Sequence, residues 1–215
     1  MTTIVPTLFE AFLSENIHSD DTISKEQADE LFLFFKQHLL FNWQNANNGC
    51  EGRADAICVL LDHWNIPNYK AWVFGGAYLK GHIGGLKQNW NYHVAPLLAV
   101  KLNGQILYYV LDPATADSLL PAYEWAASIT ELAHSYYCIR QSHWYIFPTN
   151  RISKNKWNTR NKQNRKWMIH CLKGINGLTA TGKARLSFNK ASIKNTLLAF
   201  EQAKRNNPLR SGIED

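Results

Sequence analysis

The segment Asn48-Gly49-Cys50-Glu51-Gly52-Arg53-Ala54 sets a cysteine directly behind a glycine, where a polar stretch gives way to a helical pattern. Upstream, Asn42 to Gly49 is turn-forming, with Asn45, Asn47, Asn48 and Gly49 in close succession. Downstream, Ala54, Ile57, Cys58 and Leu61 recur at helical spacing until Asn65-Ile66-Pro67 stops the run. Cys50 is therefore expected in the first turn of a helix. There the unsatisfied backbone N–H groups lower a thiol's pKa, and the Cys50 N–H is free to hold an oxyanion.

Two later stretches complete the pattern. Trp90-Asn91-Tyr92-His93-Val94-Ala95 and Val110-Leu111-Asp112-Pro113 flank Asn103-Gly104, the strongest short hairpin-turn signal. Strands are expected over 92–100 and 106–111. A two-residue turn there places Ala95 opposite Asp112, so His93 and Asp112 become diagonal neighbours on one face. Such neighbours lie about 7–8 Å apart at Cα, within reach of an imidazole and a carboxylate. Cysteine, histidine and aspartate in this arrangement are the parts of thiol acyl-transfer chemistry: a nucleophile, a base, and a carboxylate to orient the base.

Around this core the coarse pattern is mixed. Ser24 with Gln27 forms a capping box, and Ala28, Leu31, Phe32, Phe35 and Leu39 follow at helical spacing, predicting a helix over 24–41. A shorter helix is expected over 6–16. A strand is expected over 70–74, then a glycine-rich loop over 75–85. Residues 119–134 read as helix, 136–147 contain strand material, and 186–205 form a last amphipathic helix with Ile193, Leu197 and Phe200 on one face. The chain divides into an amino-terminal helical segment (1–41), a core (42–150) and a basic carboxy-terminal helical segment (151–215), expected to pack as a single domain.

The 215 residues carry a net charge of +6, unevenly distributed. Residues 1–131 hold 7 basic and 14 acidic side chains, whereas 132–200 hold 13 basic and no acidic ones. Such a run serves as a solvated face or as a docking surface for an acidic protein partner, here over 140–194, an anionic membrane or nucleic acid. Nucleic acid is not the expected partner. No stretch approaches the roughly 18 apolar residues of a membrane span. The amino terminus lacks the basic and apolar regions of a signal peptide, so a cytoplasmic protein is expected, or one exported without a signal, including into a host cell. Cys50, Cys58, Cys138 and Cys171 are then expected as free thiols.

The three motifs, together with Trp72-Val73-Phe74-Gly75, resemble the protein-glutaminase (protein glutamine deamidase) family of the papain/transglutaminase-like superfamily. Order and separation agree, with 43 residues from Cys50 to His93 and 19 from His93 to Asp112. The resemblance covers about residues 41–125. It implies an α+β fold with a papain/transglutaminase-like core, a helix carrying the nucleophile packed on an antiparallel sheet, and helical additions at both ends. It implies Cys50 as nucleophile, His93 as general base and acid, and Asp112 as orienting carboxylate, with no metal and no organic cofactor. The substrate implied is a protein or peptide bearing glutamine. Gln44, six residues before Cys50, stands at the offset of the papain-like oxyanion glutamine, and Asn47 and Asn48 are alternatives. Trp90 and Tyr92 are further substrate-binding candidates. The chain departs from the family's secreted members in its basic carboxy-terminal segment and in lacking their disulfide-rich decoration.

Other readings compete. A cysteine peptidase or a transglutaminase would use the same three residues, and a basic binding module would use none. Arg53 is expected either to favour the thiolate or to form a surface ion pair with Asp55 or Asp112. Residues 177–183 match the start of a phosphate-binding loop, but Ala184 replaces the hydroxyl residue that would hold magnesium. Cys138 with His143, and His170 with Cys171, lack the spacing of a zinc site.

Overall fold

A computed structural model describes residues 21–43, 49–78, 89–130, 136–147, 161–177 and 190–210. The strands are β1 (Ile23–Ser24), β2 (Tyr69–Tyr78), β3 (Asn89–Leu102), β4 (Gln105–Val110), β5 (Leu120–Pro121) and β6 (Tyr136–Gln141). The helices are α1 (Lys25–Gln37), α2 (Cys50–His63), α3 (Ala122–Ile129), α4 (Lys162–Gly177) and α5 (Lys190–Arg205). The strands form one sheet in the order β5-β4-β3-β2-β6, antiparallel throughout, with β1 added in parallel to β3. The architecture is α+β, as expected.

The β3–β4 hairpin has the register predicted from its turn: Leu102 pairs with Gln105 and Leu97 with Val110. Asn103 and Gly104 both take positive φ, +50° and +80°, the geometry that a two-residue turn matching the strand twist requires. Period-two alternation sorts β3 between two layers. Ala95 and Leu97 pack under Trp125, Ala126 and Ile129 of α3. Val94, Leu98 and Val100 face the opposite layer, built from α1, α2, α4 and α5.

Several boundaries differ from expectation. The first helix ends at Gln37 instead of running to 41. His38 is extended, its Nδ1 accepts the N–H of Leu40, and Leu39–Phe41 form a separate 3-10 turn. Strand β2 continues to Tyr78, where a loop is expected. Its pairing with β3 shifts register between Phe74 and Ala77, so Gly75-Gly76 is accommodated as an irregularity within a strand. The helix expected from 119 is preceded by the short strand β5, which pairs with β4. Helix α4, within the expected helical segment 151–215, places Gly177 at a helix end, whereas a phosphate-binding loop would follow a strand. The helix expected over 6–16, and residues 79–85 of the glycine-rich loop, lie outside the described residues.

Helix α2 is enclosed on all sides, with every residue from Gly52 to Leu61 buried. One side meets β3, and α4 closes the other. The close approach of α4 requires glycine: a Cβ at Gly52 would lie 2.4 Å from the Cβ of Cys171. Gly52→Ala is expected to destabilise the fold by about 1–3 kcal/mol. In a double-mutant cycle on thermal melts, Cys171→Gly should relieve part of that cost. Strictly additive effects would show that the two residues do not oppose each other.

Candidate active site

The end of β4 creates the site. The last contact of the β3–β4 pair is the Leu111 N–H donating to the Pro96 carbonyl at 2.9 Å. Beyond it the chain turns away through Asp112-Pro113, and among the described residues no strand pairs with that edge of β3. Pro96 has no N–H to lose there. Two residues earlier, Val94 presents its N–H on the same edge by strand parity, and that N–H donates to the Cys50 sulfur. The head of α2 thus takes the place of the missing strand.

Cys50 opens α2 behind Gly49, whose φ of +86° is a left-handed conformation suited to glycine. A Cβ at Gly49 would also lie 2.9 Å from Ile175 of α4. By position, the Cys50 N–H is among the first four of the helix and has no intrahelical acceptor. Cys50, His93 and Asp112 line one crevice with Trp43, Arg53 and Val94, and its volume of ≈ 10 Å³ leaves room for about one water.

His93 and Asp112 meet as the hairpin register requires. His93 Nε2 lies 2.8 Å from Asp112 Oδ2, and both side chains are buried. The same oxygen accepts from the Thr115 hydroxyl at 2.6 Å and from Trp125 Nε1 at 3.1 Å. Burial alone would raise the Asp112 pKa, but His93, Thr115 and Trp125 outweigh it and hold the carboxyl below the ordinary value. An ionised carboxylate only accepts, so Nε2 carries the ring proton and Nδ1 of the neutral ring is the basic nitrogen.

The thiol departs from expectation. Burial pushes Cys50 well above the ordinary cysteine value, and the Glu51 carboxylate adds to it, outweighing the Val94 N–H. Burial and the Glu51 carboxylate thus act against the helix terminus, which favours the thiolate. Cys58 and Cys171 are also raised by burial, and Cys138 is pushed up to about 11. All four cysteines are free.

Arg53 is not the surface residue of the expected ion pair, although its charge is felt by Asp112 and Cys50. It is buried, donating from Nε to the Phe41 carbonyl at 2.7 Å and from an η nitrogen to the Asn42 carbonyl at 2.9 Å. Its guanidinium lies over Trp43, 5.3 Å from the ring centre. It ties the Phe41–Asn42 backbone to α2. Asp55 pairs instead with Lys70 at 2.8 Å, both fully buried. Tyr92 donates its hydroxyl to Glu51, and Trp90 lies in β3 opposite Ala77. Gln44, Asn47 and Asn48 lie outside the described residues.

Thr115 and Trp125 were not among the sequence-level candidates. Thr115 is in principle legible, because Asp112-Pro113-Ala114-Thr115 closes a turn in which the Thr115 N–H donates to the Asp112 carbonyl at 3.1 Å. Trp125 arrives from α3 on the far face of the sheet and leaves no local signal.

A family model described as glutaminase matches residues 22–129. The chain belongs to the glutaminase family. Family membership makes it an amidohydrolase. The fold is similar to a crystal structure of protein-glutaminase, with TM-score 0.61 at 16% identity over 77% of this chain and 94% of that one. A crystal structure of pro-protein-glutaminase gives TM-score 0.62 at 17% identity, over 76% of this chain and 62% of that longer one. The NMR structure of protein-glutaminase from Chryseobacterium proteolyticum gives 0.55 at 16% identity, over 77% and 92%. No curated protein matches the sequence. The family match ends at residue 129, so α4, which packs on Gly49 and Gly52, lies beyond it.

Proposed function

We propose that the chain is a cysteine-dependent protein glutamine deamidase, with Cys50 as nucleophile, His93 as base and acid, and Asp112 as the group that orients and stabilises His93. The observation that carries this reading is the buried His93–Asp112 pair opening on one crevice with a helix-heading cysteine. The Cys50 proton passes to His93 Nδ1 as the sulfur attacks the glutamine side-chain carbon. The C–S bond forms, and the carbonyl oxygen takes the negative charge against the Cys50 N–H. His93 then gives the proton to the nitrogen, the C–N bond breaks, and ammonia leaves a thioester. Water, deprotonated by His93, attacks the thioester, the C–S bond breaks, His93 returns the proton to the Cys50 sulfur, and glutamate is released. Every step uses the chain's own side chains and water.

The test is incubation with a glutamine-bearing peptide, reading ammonia and product mass together. Ammonia release, the mass change of amide to acid, and an intact backbone support the reading. Backbone fragments would indicate a peptidase, and lysine cross-links in the presence of amine a transglutaminase. Free glutamine should react poorly, because contacts along the peptide contribute to transition-state binding.

The target is an acidic protein docking on the carboxy-terminal helices. Helices α4 and α5 enclose a groove of ≈ 460 Å³ lined by Trp167, Ile169 and Leu197 and flanked by Arg165 and Lys166. Trp167 and Leu197 remain 46% and 41% exposed. Arg165 lies over Phe200, so the exposed Lys162 and Lys166 are the residues to reverse. Lys162→Glu with Lys166→Glu should raise KM for an acidic glutamine-bearing protein severalfold and leave a short peptide unaffected, and added salt should reproduce the effect. Equal loss on both substrates would make the segment structural only.

A further inference from the structure

Glu51 stands beside the nucleophile and has no part in the chemistry above. Its carboxylate is held in place: the Tyr92 hydroxyl donates to Oε1, while Oε2 accepts from the Cys50 thiol at 3.5 Å. Tyr92 projects from the face of β3 that packs against the head of α2, so sheet and helix together fix this carboxylate over the sulfur. For thiol reactivity alone the placement is adverse, because a negative charge at that distance disfavours a thiolate. A use that offsets the cost follows from the substrate. The scissile carboxamide carries two N–H donors on the nitrogen that must leave, and an ionised carboxylate is a pure acceptor.

We propose that Glu51 is a substrate-positioning and specificity residue, whose Oε2 exchanges the thiol proton for an N–H of the scissile carboxamide. This rests on the deamidase reading. In that exchange the Cys50 proton goes to His93 and then to the departing nitrogen, while Glu51 itself gains and loses none. The bond orients the C–N axis and strengthens as the nitrogen takes up the proton. Once hydrolysis has replaced the amide by a carboxylate, Glu51 faces a like charge with no donor. It therefore expels the product and refuses glutamate side chains.

Alkylation of Cys50 with iodoacetamide and with iodoacetate isolates the effect, since the two reagents share a leaving group and differ as carboxamide against carboxylate. Their rate ratio cancels any change in thiol acidity. At one pH, with Cys50 labelling mapped by peptide mass, the wild-type ratio should favour iodoacetamide over glutathione's ratio by about tenfold or more. Glu51→Gln should bring it close to the glutathione value. Tyr92→Phe, which releases the carboxylate without removing it, should fall between. Glu51→Gln should also lower kcat/KM on a glutamine peptide about tenfold and let the glutamate-bearing product inhibit. A wild-type ratio equal to that of glutathione overturns the proposal without recourse to any variant. A wild-type ratio persisting in folded Glu51→Gln does the same. If the wild-type protein releases no ammonia, the deamidase reading fails, while the alkylation ratio still reports on Glu51.

Discussion

Cys50→Ala should abolish ammonia release, a loss on the order of 10⁶-fold by comparison with nucleophile removal in a serine protease, whereas Cys58→Ala and Cys138→Ala should leave turnover intact. Cys50 is the cysteine that heads a helix and shares a crevice with His93 and Asp112. Cys58 lies inside α2 with its sulfur toward the Tyr69 carbonyl, and Cys138 pairs within the sheet opposite Trp72. The pH dependence tests the state of the nucleophile. Burial and Glu51 hold the thiol above its ordinary value, so iodoacetamide labelling of Cys50 should keep rising into the alkaline range. A labelling rate already constant below pH 7 would show a preformed thiolate instead. Full activity in Cys50→Ala would remove it from the mechanism.

The His93–Asp112 pair was legible because a two-residue turn fixes every pairing in its hairpin, and side-chain parity then follows arithmetically. The helix start at Cys50 was legible from Gly49 and the periodic run behind it. The thiol's acidity was not, because a helix terminus is a local feature while the opposing terms are tertiary. Enclosure by β3 and α4, and the approach of Tyr92 to Glu51, depend on contacts between segments far apart in sequence. Arg53 shows the same limit. Its charge suggested a surface partner, but the Phe41 and Asn42 carbonyls that take it become available only once the preceding helix breaks at His38. Helix α4 falls within the expected helical segment 151–215, and Met168, Leu172 and Ile175, spaced at i, i+4 and i+7, are the stripe that enters the main core.

Asp112→Asn should keep the fold and lower kcat, approaching the roughly 10⁴-fold loss of the equivalent change in a serine-protease triad. The fold survives because an amide oxygen in place of Oδ2 still accepts from His93 and Thr115, while Trp125 Nε1 keeps its bond to the Thr115 hydroxyl at 3.1 Å. The rate falls because an amide cannot stabilise the imidazolium that forms when His93 takes the thiol proton. A thiolate–imidazolium pair already formed at rest would depend less on the carboxylate. Stability gives an independent reading. Asp112 has a depressed pKa in the folded state, so its charge stabilises the protein above the unfolded carboxylate value and that stability is lost as pH falls through the folded one. The stability gap between wild type and Asp112→Asn should therefore be open at neutral pH and close in acid, as followed by denaturant titration at a series of pH values. Asp112→Ala, by contrast, strands buried donors and should destabilise the fold at every pH, by about 1–3 kcal/mol for each group left without an acceptor. An unaltered rate in folded Asp112→Asn would show that Asp112 serves the fold and not the reaction.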